Sequence, residues 1–359
     1  MQLRTVDGEV KTIELHDAEI DIDVAPDQVA TYNHSGNGFF RVKVPSTHLV
    51  TMGVDGVGDL APVERFGLLD DSWTLTLAGE IGVADYLALL GGYRDESDVS
   101  VWQKLTSSLA FIDHVAKDSD RAELGSLTEA LISKARERLG NEPTEGESPR
   151  TSQLRGTLFS AAGTLTEAGS ETREQALSRA REILGAQSPD AELRSAAVKI
   201  VAANGTDADF ASFKEGFESA ETPQEEMRNL YALPSFPGQS HIETVVSMAL
   251  GDDIRTQNAP FVLAQALMNR EHGPLTWSKI QDEWDAINEK FPSNTIVRML
   301  TGVRWLTGPD TLESVLAFFA DKDLPQGQKQ LDQHLERLRV NGSFRQRVQG
   351  DLEAALAAG

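Results

Sequence analysis

Residues 62–80 read PVERFGLLDDSWTLTLAGE, and residues 81–102 continue IGVADYLALLGGYRDESDVSVW. Phe66, Leu69, Trp73 and Leu77 recur at steps of three and four, which places them on one stripe of a helix that must be buried against a neighbour. Gly79 is positioned to end that helix. A second helix follows at once with Val83, Leu87 and Leu90 on one face, stopped by Gly91-Gly92, and a third carries Val101, Leu105, Leu109 and Ile112. Short helices joined by tight turns bury their stripes by stacking on the next pair. The expectation is a mostly α chain, a HEAT/armadillo-like α-solenoid of stacked helical hairpins.

Composition bounds the rest. The chain has 359 residues, 25 % of them charged and 40 % hydrophobic, which is ordinary for a soluble globular protein of more than one unit. Acids outnumber bases 56 to 33, for a net charge of -23, and no basic stripe occurs. Nucleic acid and anionic membrane surfaces are therefore excluded as expected partners. There is no cysteine, so disulfides, thiolate metal sites and a cysteine nucleophile are ruled out. No apolar run approaches the ~18 residues of a membrane span, and Met1-Gln2-Leu3-Arg4 opens no signal-peptide pattern, so the expected location is cytoplasmic.

Residues 1–44 alternate with a period of two instead. Ile20, Ile22 and Val24 alternate with Glu19, Asp21 and Asp23, and Phe40, Val42 and Val44 with Phe39, Arg41 and Lys43. Asp7-Gly8 and Asn37-Gly38 suit tight hairpins. Four or five short antiparallel strands are expected, a sheet too small to fold without a cover for its apolar face. From Pro45 to Gly359 the pattern is helical, broken by the acidic stretch 140–149, which reads as a mobile connector. Helices are expected over 150–165, 171–185, 189–204, 207–219, 222–234, 239–250 and 254–269, with starts marked by Ser188-Pro189-Asp190 and Thr222-Pro223-Gln224-Glu225. Trp277, Ile280, Trp284, Ile287 and Phe291 form a three-four seam. Four further helices are expected, one with Leu331, Leu335 and Leu338 and the last with Val348, Leu352 and Leu356.

A specific resemblance emerges from an ordered series of short matches. Tyr32-Asn33, Gly38-Phe39-Phe40-Arg41-Val42, Glu64-Arg65 and Leu68-Leu69-Asp70-Asp71 come first. Tyr86-Leu87, Glu96, Trp102, Ala203-Asn204-Gly205, Phe210, Phe213, Glu225-Glu226, Arg255-Thr256-Gln257, Trp277, Trp284 and Phe318-Phe319 follow. The series resembles the C-terminal helical domain of zinc aminopeptidases of the aminopeptidase N and endoplasmic-reticulum aminopeptidase group. In that family the strands before the helices belong to a β-sandwich between the catalytic and helical domains. The resemblance therefore divides the chain into a partial antiparallel β-sandwich over 1–44 and a helical array over 45–359, and implies a piece of something longer.

The chemistry of such enzymes uses H-E-x-x-H, two imidazoles sharing a helix face with a glutamate that polarises water. The seven histidines are His16, His34, His48, His114, His241, His272 and His334, and no two lie four apart. No catalytic and no metal-ligating residue is assigned, and zinc is expected only in the missing catalytic domain. Asp70-Asp71 point about 100° apart on a helix and read as structural, pairing with Arg65 or capping a turn. Asp252-Asp253 read as a helix cap. Gly53-Val54-Asp55-Gly56-Val57-Gly58 lacks the lysine of a phosphate loop, and no G-x-S-x-G elbow occurs.

The resemblance implies a domain that closes over a catalytic cleft and accommodates the distal end of a peptide substrate. An arginine can hold the peptide's terminal carboxylate in two parallel hydrogen bonds. Arg255 and Gln257, from the matched Arg-Thr-Gln segment, are the first candidates, with Arg298 and Arg304 beside them; the structural alternative starts a helix at Arg255 and pairs it with Asp252 or Asp253. The expected partners are the catalytic domain of the same parent protein and the peptide. The competing reading is a free-standing helical scaffold that binds a protein or peptide on its concave face.

Overall fold

The computed structural model describes residues 1–14, 22–25, 29–186, 190–322, 324 and 327–357. Two compact units form, Met1–Ser170 together with the chain from Arg347, and Glu171–Gln346. Among the described residues there are seventeen α-helices and three strands. No described helix is long and apolar enough to cross a membrane.

In the first unit, β1 (Gln2–Thr5), β2 (Val10–Thr12) and β3 (Val29–Thr31) make an antiparallel sheet in the order β2-β1-β3. Asp7-Gly8 turns the first hairpin: Gly8 has φ 92°, and the Thr5 N–H donates to the Glu9 carbonyl at 2.9 Å. Six helices follow: α1 (Ser46–Asp55), α2 (Pro62–Ala78), α3 (Val83–Leu90), α4 (Val99–Val115), α5 (Arg121–Leu139) and α6 (Pro149–Thr164). α2 starts with proline in its first turn and ends at Gly79 in the left-handed region, φ 83°. Its last carbonyls accept from Arg347, at 2.7 Å for Leu77 and at 3.3 Å for Thr76, which also accepts from the Gly79 N–H at 3.1 Å. Leu69, Trp73 and Leu77 are buried, and the Trp73 and Tyr86 rings lie 5.3 Å apart. The acidic stretch 140–149 is tied down by the buried Arg155, which donates to both Glu147 carboxylate oxygens (2.7 and 2.8 Å) and to the Leu139 carbonyl (3.2 Å).

The second unit holds α7 (Glu171–Gly185), α8 (Ala191–Asn204), α9 (Asp207–Glu218), α10 (Pro223–Ala232), α11 (Gln239–Leu250), α12 (Ala259–Leu267), α13 (Gly273–Asp282), α14 (Trp284–Lys290), α15 (Ser293–Met299) and α16 (Pro309–Phe318). Helices pack pairwise, α7 on α8, α9 on α10 and α11 on α12. α12 is apolar nearly all round, with Ala259, Pro260, Val262, Leu263, Ala264, Ala266 and Leu267 buried, so it sits inside the unit rather than on its surface. The last helix, α17 (Gln328–Ala357), gives residues up to Gln346 to this unit and those from Arg347 to the first.

Several expectations are corrected. Three strands are present among the described residues, and part of the stretch in which four or five were expected lies outside those residues. The alternating segment Phe40, Val42, Val44 is not a strand, because carboxylates of α2 take what a neighbouring strand would bind. The Val42 N–H donates to Asp71 at 3.0 Å, and Arg41 pairs with both Asp70 and Asp71. Arg41, joined by Lys104 at 2.6 Å from Asp70, is thus the partner expected of Arg65, which instead grips Glu96 at 2.6 Å. Asn37-Gly38 makes no hairpin: the Asn33 side chain clamps the Gly38 N–H (2.7 Å) and carbonyl (3.0 Å). Ile22 and Val24 lie outside any strand, while Glu19, Ile20 and Asp21, like His16 and Ser188-Pro189, fall outside the described residues.

Among the helices, Phe66 is exposed rather than part of the buried stripe. The aromatic seam from Trp277 to Phe291 is buried throughout but divided between α13 and α14 at Glu283. The final two expected helices are one helix of 30 residues. It passes through Asn341-Gly342 because the Asn341 amide donates to the Arg304 carbonyl at 2.8 Å and the missing Cβ of Gly342 leaves room for the Leu312 side chain.

Candidate functional site

Two helix faces in the second unit meet in an open groove of about 650 Å³. One face comes from α8, with Ala191, Arg194, Ser195, Val198, Lys199 and Ala202 at steps of three and four. The other runs along α10 into the following turn, with Gln224, Met227, Arg228, Tyr231, Ala232 and Ser235 at the same spacing, and Gln265 of α12 adds a further polar group. Asp190 caps α8, accepting from the Leu193 N–H at 2.9 Å, and Thr222 caps α10, accepting from the Glu225 N–H. These caps fix where each helix begins and therefore which residues face the groove.

The groove is cationic. Arg194, Lys199 and Arg228 line it and, among the described residues, no carboxylate does, although the chain as a whole carries a net charge of -23. Arg194 Nε is buried and has no hydrogen-bond partner. Burial raises Tyr231 above the ordinary phenol value, so its hydroxyl is protonated and can donate. Guanidinium forks, an ammonium, a phenol and amides beside Val198, Met227 and alanine surface suit a ligand that is anionic at one end and apolar behind it. Among the described residues no group of three or more His, Asp or Glu side chains converges as a metal site.

The model of the ERAP1-like C-terminal domain matches residues 31–340. The chain belongs to this family. Aminopeptidase M1 of Arabidopsis thaliana is 25 % identical over 321 residues, covering 86 % of this chain and 36 % of its own length. Aminopeptidase M1-B of Oryza sativa subsp. japonica is 27 % identical over 335 residues, 89 % of this chain and 37 % of its own. The alanine/arginine aminopeptidase of Saccharomyces cerevisiae is 22 % identical over 293 residues, 79 % and 34 % respectively. The chain thus spans little more than a third of the length of these relatives.

In this member of the ERAP1-like C-terminal domain family, none of the four residues picked from the sequence lines the groove. Arg255 precedes α12, its carbonyl accepting from the Asn258 N–H at 2.8 Å, and its exposed guanidinium lies 3.4 Å from Glu226 of α10 rather than against Asp252 or Asp253. Asp252 meets Lys290 at 3.3 Å. Gln257 is exposed in the turn before α12, and Arg298 is exposed on α15. Arg304 sits in the 3-10 turn Leu300–Trp305 and donates from Nε to Nδ1 of His334 at 2.9 Å. The groove residues carry a signal that periodicity could have revealed. Each stripe repeats at helical spacing with basic and polar residues on it and no acid, in a chain rich in acids. What periodicity cannot give is that α8 and α10, separated by α9, lie side by side.

Proposed function

We propose that this chain is the noncatalytic C-terminal part of a zinc-dependent aminopeptidase. In this reading it closes over the cleft of the catalytic domain of the same parent protein and holds the distal end of the peptide substrate. Zinc is bound by that catalytic domain, and this chain is inactive alone. Membership of the ERAP1-like C-terminal domain family and the likeness to three aminopeptidases support the placement. The observation that carries the substrate role is the groove between α8 and α10, which three cations line with no acid among the described lining residues. We assign the peptide carboxylate to Arg194 and Arg228, steered by Lys199, with Tyr231 and Met227 against the last side chain. Arg255 pairs with Glu226 and Arg304 meets His334, and neither they nor Gln257 and Arg298 line this groove. The free-standing scaffold draws no support from these likenesses.

The test is binding of fluorescent ten-residue peptides to the purified chain at low salt, comparing free-acid with amidated C-termini. Hydrogen bonds to charged groups contribute about 1.5–3 kcal/mol, so the amide should bind roughly 10- to 100-fold more weakly. R194Q/R228Q should remove the difference, and R255A should preserve it. Equal binding of acid and amide by the unaltered chain would reject the assignment.

A further inference from the structure

Arg304 and Arg337, on either side of His334, form a second cationic cluster, independent of the groove and of the peptide reading. Arg304 reaches from its 3-10 turn to His334 of α17, a residue only 6 % exposed. The ring is oriented by its other nitrogen, since Nε2 donates to the Val297 carbonyl of α15 at 3.1 Å. That leaves Nδ1 as an acceptor, and the acceptor for the Arg304 guanidinium is therefore a neutral imidazole where a carboxylate would ordinarily be found. Arg304 is further held by its own carbonyl, which accepts from the Asn341 amide at 2.8 Å.

Arg337 follows one turn after His334 on the same helix, and residues three apart share a helix face. No carboxylate pairs with Arg337 or with Arg304 among the described residues. Burial and then the Arg337 charge lower Arg304 below the ordinary guanidinium value, and burial followed by the Arg304 charge lowers His334. Arg304 thus meets His334 while Arg337 stands one turn further along the same helix face, so two cations share this face with no carboxylate paired to either among the described residues. Like charges held together without a counter-charge are unfavourable, and an anion placed between them removes the repulsion and takes up the unused N–H donors. Arg337 is exposed and Arg304 half-buried, so solvent anions reach the cluster.

We infer that Arg304 and Arg337, with His334 positioning Arg304, form a binding site for a doubly charged oxyanion of the sulfate or phosphate type. Two forked guanidinium groups match the oxygen geometry of such an ion better than that of a spherical halide.

Sulfate is the probe, because its charge is constant across neutral pH. Calorimetric titration of the full 359-residue chain at low ionic strength should show a saturable sulfate site, with chloride at matched ionic strength giving no comparable heat. R337Q removes one cation from an exposed position and should weaken this site at least fivefold without lowering the thermal midpoint. R304Q should do the same where it folds; if it does not fold, R337Q decides alone. The groove variant R194Q/R228Q should retain the site, which separates it from any sulfate held between α8 and α10. Sulfate binding by R337Q equal to that of the unaltered chain would overturn the inference, as would the absence of saturable binding to the unaltered chain. Succinate and inorganic phosphate then rank the carboxylate and phosphate forms of the same chemistry.

Discussion

Replacing Glu64 by glutamine should uncouple the first unit from acid. The Glu64 side chain is 1 % exposed and is placed in the first turn of α2, where it reaches back to the Ala61 N–H at 3.0 Å. The same carboxylate accepts from Arg4 of β1 at 2.9 Å and from the Ser35 N–H at 3.1 Å, and meets His34 at 2.8 Å. It thereby joins the sheet, the 34–36 turn and α2. Burial works to raise its pKa, but these partners outweigh it and hold the carboxyl at about 2, against an ordinary 4.5. A depressed carboxylate stabilises the fold fully above the unfolded value and loses that contribution as pH falls through the folded one. The window is therefore pH 4.5 down to 2, and the contribution is about 3 kcal/mol. E64Q should lower the stability of the first unit at pH 7 by roughly 3 kcal/mol, since it also leaves Arg4 without its counter-charge. Hydrogen exchange of α2 peptides, measured from pH 7 to pH 2 and corrected for intrinsic rates, reports this unit separately from the other. The gap between the unaltered chain and E64Q should close as pH falls below 4.5. Parallel profiles across that window would refute the reasoning, because they would mean that Glu64 titrates alike in folded and unfolded chains.

Other outcomes follow from equally local features. R155A removes the partner of Glu147 and a donor to the end of α5, and breaking a buried pair costs about 3–5 kcal/mol; glutamate-specific proteolysis should then cut within 140–149 far faster than in the unaltered chain. G79A places a Cβ on a residue with φ 83° and 3.2 Å from the Arg347 guanidinium carbon, so it should destabilise the first unit by about 1 kcal/mol, readable as a lowered urea midpoint. All the large hydrophobic side chains exposed among the described residues lie between Val6 and Phe66, including Phe39, Val54 and Val63. F39S/V63S/F66S should therefore reduce binding of an apolar dye and any concentration dependence of sedimentation, with no change in helix content.

The sequence alone determined the helical character of the chain, because apolar side chains at three-four spacing have one way to leave water and because Gly79, Thr222 and Asp190 mark helix ends through local backbone chemistry. The ordered matches from Tyr32 to Phe319 likewise placed the chain in its family, since they depend on residue identity and order, both of which are linear. Tertiary structure decided where long-range partners compete with local preference. Asp71 draws Val42 away from a strand, Asn341 and Gly342 carry one helix through an expected break, and Arg255 turns to Glu226 instead of the nearby aspartates. It also decided the candidate sites. Arg194 and Arg228 come to line one groove only when α8 and α10, which α9 separates in sequence, pack together, and Arg304 meets His334 across 30 residues of chain. Electrostatic neighbourhoods depend on distance in space, and distance between helices is set by how their buried faces fit, which no single stretch of sequence contains.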